Sequence, residues 1–156
     1  MLLIIVVTTG CNRSVASKLI STIDQTCATQ AASKCKVTLK DVTPFTWDKL
    51  YFFGSWTTSD AIKQAIGPNY RGDDVPDDYR RMLFMQGGKV VYEEDFQSLD
   101  YTKSTIEFPD LIDSLSHAKS PFLTPGNALF IADKGKIQGS CEDCFVYSLS
   151  ALPIAQ

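Results

Sequence analysis

The sequence predicts an α+β fold: an antiparallel sheet built from hairpins, packed by an N-terminal helix and one or two short helices. Three observations carry that expectation. Val15, Leu19, Ile23 and Cys27 recur every four residues and mark one face of an amphipathic helix. The stretch YRRMLFMQGGKVVYEEDF, residues 79–96, reads as two strands around a Gly-Gly turn. Long helices do not alternate with strands, which argues against a doubly wound sheet. The 156 residues suit one domain, and a 44% hydrophobic fraction with 21% charged residues is that of a folded protein.

Taken in order, residues 13–27 are the helix. Residues 35–42 alternate as a strand, with Val37 and Leu39 on one face and Lys36, Thr38 and Lys40 on the other. Pro44 ends it. FTWDKLYFF, residues 45–53, is rich in aromatics and reads as a buried strand stopped by Gly54. A short helix follows in TTSDAIKQAIG, with Thr58 or Ser59 as its cap and Gly67-Pro68 as its end. PNYRGDDVPDDY is a loop of turn residues. After the 79–96 hairpin, STIEF reads as a strand and residues 109–120 as a short helix. GNALFIADKGKIQG, residues 126–139, reads as a second hairpin turning at Asp133 to Gly135, and CFVYSLS as a last strand.

The first seven residues are one apolar run, far short of the roughly 20 residues a membrane-spanning helix needs. The run has the length of a secretory h-region, with small residues after it. Thr8-Thr9-Gly10-Cys11 then resembles the lipobox of bacterial lipoproteins. The resemblance implies a signal peptide over residues 1–10, cleavage before Cys11, acylation of its thiol, and a single α+β domain over residues 11–156. Asn12 directly after the cysteine implies sorting to the outer membrane, facing the periplasm. The chain departs from the pattern in having Thr8 where leucine is usual and no basic residue before Arg13. The alternative is a buried first strand, since LLIIVV is also a good strand sequence.

Five cysteines are present, and an odd number in a secreted protein calls for an explanation. Lipidation of Cys11 supplies one and leaves Cys27, Cys35, Cys141 and Cys144 for disulfides in an oxidising compartment. Proximity favours Cys27–Cys35 and Cys141–Cys144; the alternative joins the two ends of the domain. Cys141-Glu142-Asp143-Cys144 also raises a redox site. The two acids between its thiols disfavour a thiolate, and a strand rather than a helix is expected after it. A zinc site of the four cysteines has ligand-like spacing in only one pair.

TPFTWDKLYFF, a short helix, then MLFMQGGKVVY resembles a group of small bacterial secreted proteins and lipoproteins over roughly residues 37–92. That resemblance brings no catalytic residues.

Elsewhere the chemistry is sparse. One histidine, His117, has no serine on a G-x-S-x-G turn to work with. DDVPDD lacks the acid order, glycine and final glutamate of a calcium loop. Glu93, Glu94 and Asp95 are adjacent on a strand, so they alternate faces rather than oppose one another across a cleft. A net charge of -3 argues against a nucleic-acid partner. The charge is uneven: residues 13–70 carry seven basic and four acidic side chains, residues 73–100 three basic and eight acidic. Trp47 and Asp48, an acid inside an aromatic run, and the acidic Asp73, Asp74, Asp77 and Asp78 are the candidate binding surface. A buried Asp48 needs a partner, with Lys49, Arg80 or Arg81 as candidates.

These observations predict a lipid-anchored cell-envelope protein with a non-enzymatic binding role. No catalytic residue, metal or cofactor is assigned. Its expected partners are the membrane, through the lipid, and an envelope protein. The alternatives are a periplasmic immunity or inhibitor protein against a lytic enzyme, a structural envelope subunit, and a thiol-redox or metal protein using Cys141 and Cys144.

Overall fold

The computed structural model describes residues 14–28, 34–97, 100, 102–112, 122–136 and 141–152. The lipobox-like segment, Cys11 and His117 lie outside them. The fold is α+β. The elements run α1 (Val15–Ala28), β1 (Lys34–Thr38), α2 (Leu39–Val42), β2 (Lys49–Phe53), α3 (Ser59–Ile66), β3 (Tyr79–Gln86), β4 (Lys89–Gln97), β5 (Thr105–Glu107), α4 (Pro109–Ile112), β6 (Leu129–Lys136) and β7 (Phe145–Ala151).

The strands form two sheets where the sequence suggested one. β1-β6-β7-β5 make a four-stranded sheet, and β2-β3-β4 a three-stranded one. All pairs are antiparallel except β5 with β7, which is parallel. The β3–β4 hairpin is as expected: Gly87 and Gly88 turn it with φ of 56° and 75°, which suits glycine at both positions.

Between the sheets lies an aromatic layer. The ring of Phe108, just after β5, sits 4.5 Å from Phe52 of β2, 5.9 Å from Phe96 of β4 and 5.3 Å from Phe130 of β6. The face of α1 carrying Val15, Leu19 and Ile23 is buried in the same core. The three-stranded sheet is also covered on its far face. There Tyr51, Phe53, Leu83 and Met85 pack under Ile62 of α3 and under Tyr70 and Val75 of the 67–78 loop.

Three elements differ from expectation. The strand expected at 35–42 stops at Thr38 and becomes one helical turn. Leu39 and Val42 are both buried; three residues apart, they would face opposite sides of a strand but share a side of a helix. The strand expected at 45–53 begins only at Lys49. Before it, the Trp47 indole N–H donates to Thr43 Oγ1 at 3.0 Å and folds the segment back on itself. The hairpin expected at Asp133 to Gly135 is a continuous strand. β6 pairs with β7 residue for residue from Phe130 to Lys136, and Gly135 faces Val146, whose Cγ1 a Cβ would meet at 3.4 Å. Of the helix expected over 109–120, Pro109–Ile112 is helical and the rest lies outside the described residues.

Both ends of α1 are tied to the sheets. At its start, Ser14 Oγ accepts from Ser17 N at 3.0 Å, as an N-cap does. Glu94 of β4 adds a carboxylate there. Its Oε2 accepts from Val15 N at 2.8 Å and Ala16 N at 3.4 Å, and from the Tyr92 hydroxyl at 2.8 Å. A negative charge on these orphan amides also meets the positive end of the helix dipole. Glu94→Ala should therefore cost about 1–2 kcal/mol, read as a lower urea midpoint with unchanged slope.

Near the other end, Asp24 Oδ1 accepts from Lys134 Nζ at 2.8 Å and the Tyr147 hydroxyl at 2.7 Å. Partial burial pushes the Asp24 pKa up, but the Lys134 and Tyr147 hydrogen bonds outweigh it and the net shift is downward. A carboxyl lowered on folding stabilises the fold above its unfolded pKa of about 3.9 and stops doing so as pH falls through the lower folded value. The stability gap between wild type and Asp24→Asn should accordingly be full at pH 6 and close toward pH 2. A gap constant across that range would rule the ion pair out as its cause.

Candidate functional site

The four body cysteines are paired as proximity suggested. Cys27, in the last turn of α1, bonds Cys35, the second residue of β1, with Cα atoms 5.5 Å apart. Cys141 bonds Cys144, with Cα atoms 5.2 Å apart, across a turn closed by Cys144 N donating to Cys141 O at 3.1 Å. β7 follows directly, so the turn leads into a strand and not into the helix amino terminus that lowers a thiol pKa. Among the described residues no group of three or more His, Cys, Asp or Glu side chains is placed to hold a metal ion. No helix among them is long and apolar enough to cross a membrane.

Trp47 is buried and Asp48 half-buried, and the hydrogen bonds they make do not reach the acidic loop. Trp47 is 5% exposed and packs edge-on against Phe84, ring centroids 5.3 Å apart. It belongs to the core cluster, so little of its surface is open to a partner. Asp48 Oδ2 accepts from Gly87 N at 2.7 Å, and Asp48 N donates to Met85 O at 2.8 Å. The partner expected among Lys49, Arg80 and Arg81 is instead the backbone of the β3–β4 turn. Asp48 thus braces that turn against β2.

Asp73, Asp74, Asp77 and Asp78 are exposed on the 67–78 loop. What holds the loop is Arg81. It alternates with Leu83 and Met85 on the far face of β3, under the loop, and it is 3% exposed. Its Nε and Nη2 reach both oxygens of Asp95 at 2.6 and 2.7 Å, a forked pair. Nη1 donates to the Tyr70 hydroxyl at 2.5 Å and to the carbonyl of Asp73 at 2.6 Å, and lies 3.3 Å from Glu93 Oε1. The Tyr70 hydroxyl in turn donates to Glu93 Oε1 at 3.2 Å. Burial first, and the Glu93 carboxylate with it, push the Tyr70 pKa up to about 12 against the pull of Arg81, so it remains a donor at neutral pH. A Cβ at Gly72 would collide with that hydroxyl, which explains the glycine there. Arg81 therefore ties two acids of β4 to two points of the loop.

Two places on this side of the molecule are open. One is a cleft of about 490 Å3 between the start of the loop and the hairpin turn, walled by Ile66, Tyr70, Met85 and Val90. Two of its polar groups, the Tyr70 hydroxyl and Glu93, are already engaged with Arg81. The other is Trp56, which stands 71% exposed. It occupies the third position of a turn closed by Thr57 N donating to Gly54 O at 3.3 Å, with φ of 65°. Trp56 N donates to Val75 O at 3.1 Å and Val75 N to Thr57 O at 2.9 Å. Ser59 N donates to Asp74 Oδ1 at 2.6 Å and Ser55 Oγ to Tyr79 O at 2.9 Å. The Trp56 turn is thus stitched along its length to the acidic loop.

Sequence reasoning placed the acidic loop on the surface, but it took Arg81 only as a candidate partner for Asp48 and Glu94 only as part of an acidic run, and it passed over Trp56. The period-two pattern of Arg81, Leu83 and Met85 on a strand is a signal for the first. A tryptophan directly after Gly54-Ser55, where a turn favours glycine or asparagine, is the signal for the last. Comparisons with protein-family models, curated proteins and solved structures return no match.

Proposed function

We propose that the chain is a lipid-anchored protein of the bacterial cell envelope, with a non-enzymatic role in binding another envelope protein. The observation that supports this is the cysteine pairing. Four of five cysteines close two disulfides within the domain. The one left over, Cys11, is the residue that the lipobox-like Thr8-Thr9-Gly10-Cys11 would acylate. Disulfides persist in oxidising compartments, and two or more acyl chains make an anchor stable. Asn12 favours the outer membrane, facing the periplasm.

Within that role, an immunity or inhibitor function against a lytic enzyme is favoured by the four exposed aspartates on one loop. A one-sided acidic surface steers association with a basic partner.

The test is an intact mass of the protein from a bacterial membrane fraction, before and after reduction. The expected mass starts at Cys11 with an acylated glyceryl group and gains four hydrogens on reduction. Cys11→Ser should move the protein out of the membrane fraction. A soluble chain intact from Met1 with free thiols would overturn the proposal and return Cys141 and Cys144 as a thiol-redox or metal candidate.

A further inference from the structure

We infer that Trp56 is the anchor of a protein-docking surface, and that its partner presents an arginine on a basic face. The inference deepens the binding role proposed above and does not depend on the lipid anchor.

Trp56 does little for the fold. The residue is 71% exposed, so burial contributes little. Its φ of 65° is a genuine outlier for a bulky side chain, and glycine or asparagine would sit there with less strain. The residue type is thus unfavourable to stability on both counts, the situation in which a strained position points to function. The turn beneath it is held by backbone hydrogen bonds to Gly54 and Val75, so the ring is presented on a fixed support. A large, rigid, exposed aromatic on such a support is what an interface anchor requires.

The surroundings select the partner. The spans 54–60 and 73–79, which the hydrogen bonds knit together, contain five aspartates and no lysine or arginine. Asp60, Asp73, Asp74, Asp77 and Asp78 are all exposed. Lys63 neutralises one of the five and Arg80 borders the turn, which leaves Asp73, Asp74, Asp77 and Asp78 as the acidic part of the surface. Lys63 bonds Asp60 at 3.0 Å, Arg71 bonds the Pro68 carbonyl at 3.3 Å, and Arg80 turns back onto Ser55 Oγ and the Tyr79 carbonyl. An exposed tryptophan on a turn bonded to a loop of four exposed aspartates suits a guanidinium, which stacks on tryptophan while its N–H groups meet carboxylate oxygens. A neutral cell-wall sugar would also stack on the ring, but it would gain nothing from the charge of the four loop aspartates.

The experiment selects random 12-residue peptides on the full chain and counter-selects on Trp56→Gly. Glycine is the replacement that the turn accepts, so the variant should unfold at the same or a higher urea concentration. Trp56→Asn serves as a second variant with the same backbone preference. Enriched peptides should carry net positive charge with arginine. They should lose at least about tenfold in affinity on either variant, as an anchor residue predicts. They should also bind more weakly as salt is raised. Replacing Asp73, Asp74, Asp77 and Asp78 by asparagine should weaken them further. Neutral or acidic winners, equal binding to Trp56→Gly, or no enrichment above it would overturn the inference. So would binding of an N-acetylglucosamine tetramer that needs Trp56, which would make the surface a sugar site. The mass at Cys11 reads the anchor separately, so failure of one proposal is distinguishable from failure of the other.

Discussion

Arg81→Ala lowers the stability of the domain by about 3–5 kcal/mol, the cost of breaking a buried ion pair from one side. The side chain removed is 4% exposed and donates to Asp95, Tyr70 and the Asp73 carbonyl at once. Its loss leaves Asp95 and Glu93 facing each other's charge on β4. Their side chains are 27% and 31% exposed, so water reaches them and holds the effect toward the lower end of the range. Arg81→Lys should recover only a small part, because one ammonium cannot fork onto Asp95 and also reach Tyr70 and the loop carbonyl. The double change Arg81→Met with Asp95→Leu should cost less than Arg81→Ala alone, since it removes the orphaned acid with its partner. Urea unfolding of the three variants measures this. Equal stability of wild type and Arg81→Ala would mean that the loop is held by its apolar residues Tyr70 and Val75 alone.

The same hub shows which parts of the fold are legible in a sequence. Elements fixed by local pattern come out as expected. The α1 face repeats every four residues, Thr58 caps α3 through its bond from Ala61 N, and Gly87-Gly88 dictates a tight turn. Elements fixed by a neighbour do not. Asp133-Lys134-Gly135 has the residues of a turn, yet β1 and β7 flank it and continue the ladder. Leu39 and Val42 switch from strand to helix because both must reach a core that only the folded chain defines. Trp47 and Asp48 look alike as unusual neighbours in an aromatic run. One enters the core and the other braces a turn 39 residues away. Of the candidate surface, charge alone located the aspartates. The tryptophan beside them required knowing that residues 55–59 lie against residues 74–79.

Removing both disulfides should be the other large change. The Cys27–Cys35 bridge closes a sequence separation of 8 and the Cys141–Cys144 bridge one of 3. Loop-closure entropy gives about 2.5 and about 2 kcal/mol for such loops. The two closed loops, 27–35 and 141–144, do not overlap, so their loop-closure losses should add. The first has a further cost when serine replaces cysteine. Cys35 is 2% exposed and belongs to the main core, where a hydroxyl is poorly placed. Cys27→Ala with Cys35→Ala should therefore be less harmful than the serine pair, and the difference separates the packing loss from the lost cross-link. In thermal unfolding the alanine pair should lower Tm by roughly 5–10 °C for a domain of this size. Mild reductant should open Cys141–Cys144 first, because Cys141 is exposed. The order matters for function. If reduction of both bonds lowers Tm by the sum of the two pairs, the cysteines are structural. If opening Cys141–Cys144 leaves Tm unchanged, that pair is free to exchange electrons. The thiol-redox alternative would then account for those two cysteines better than a structural role does.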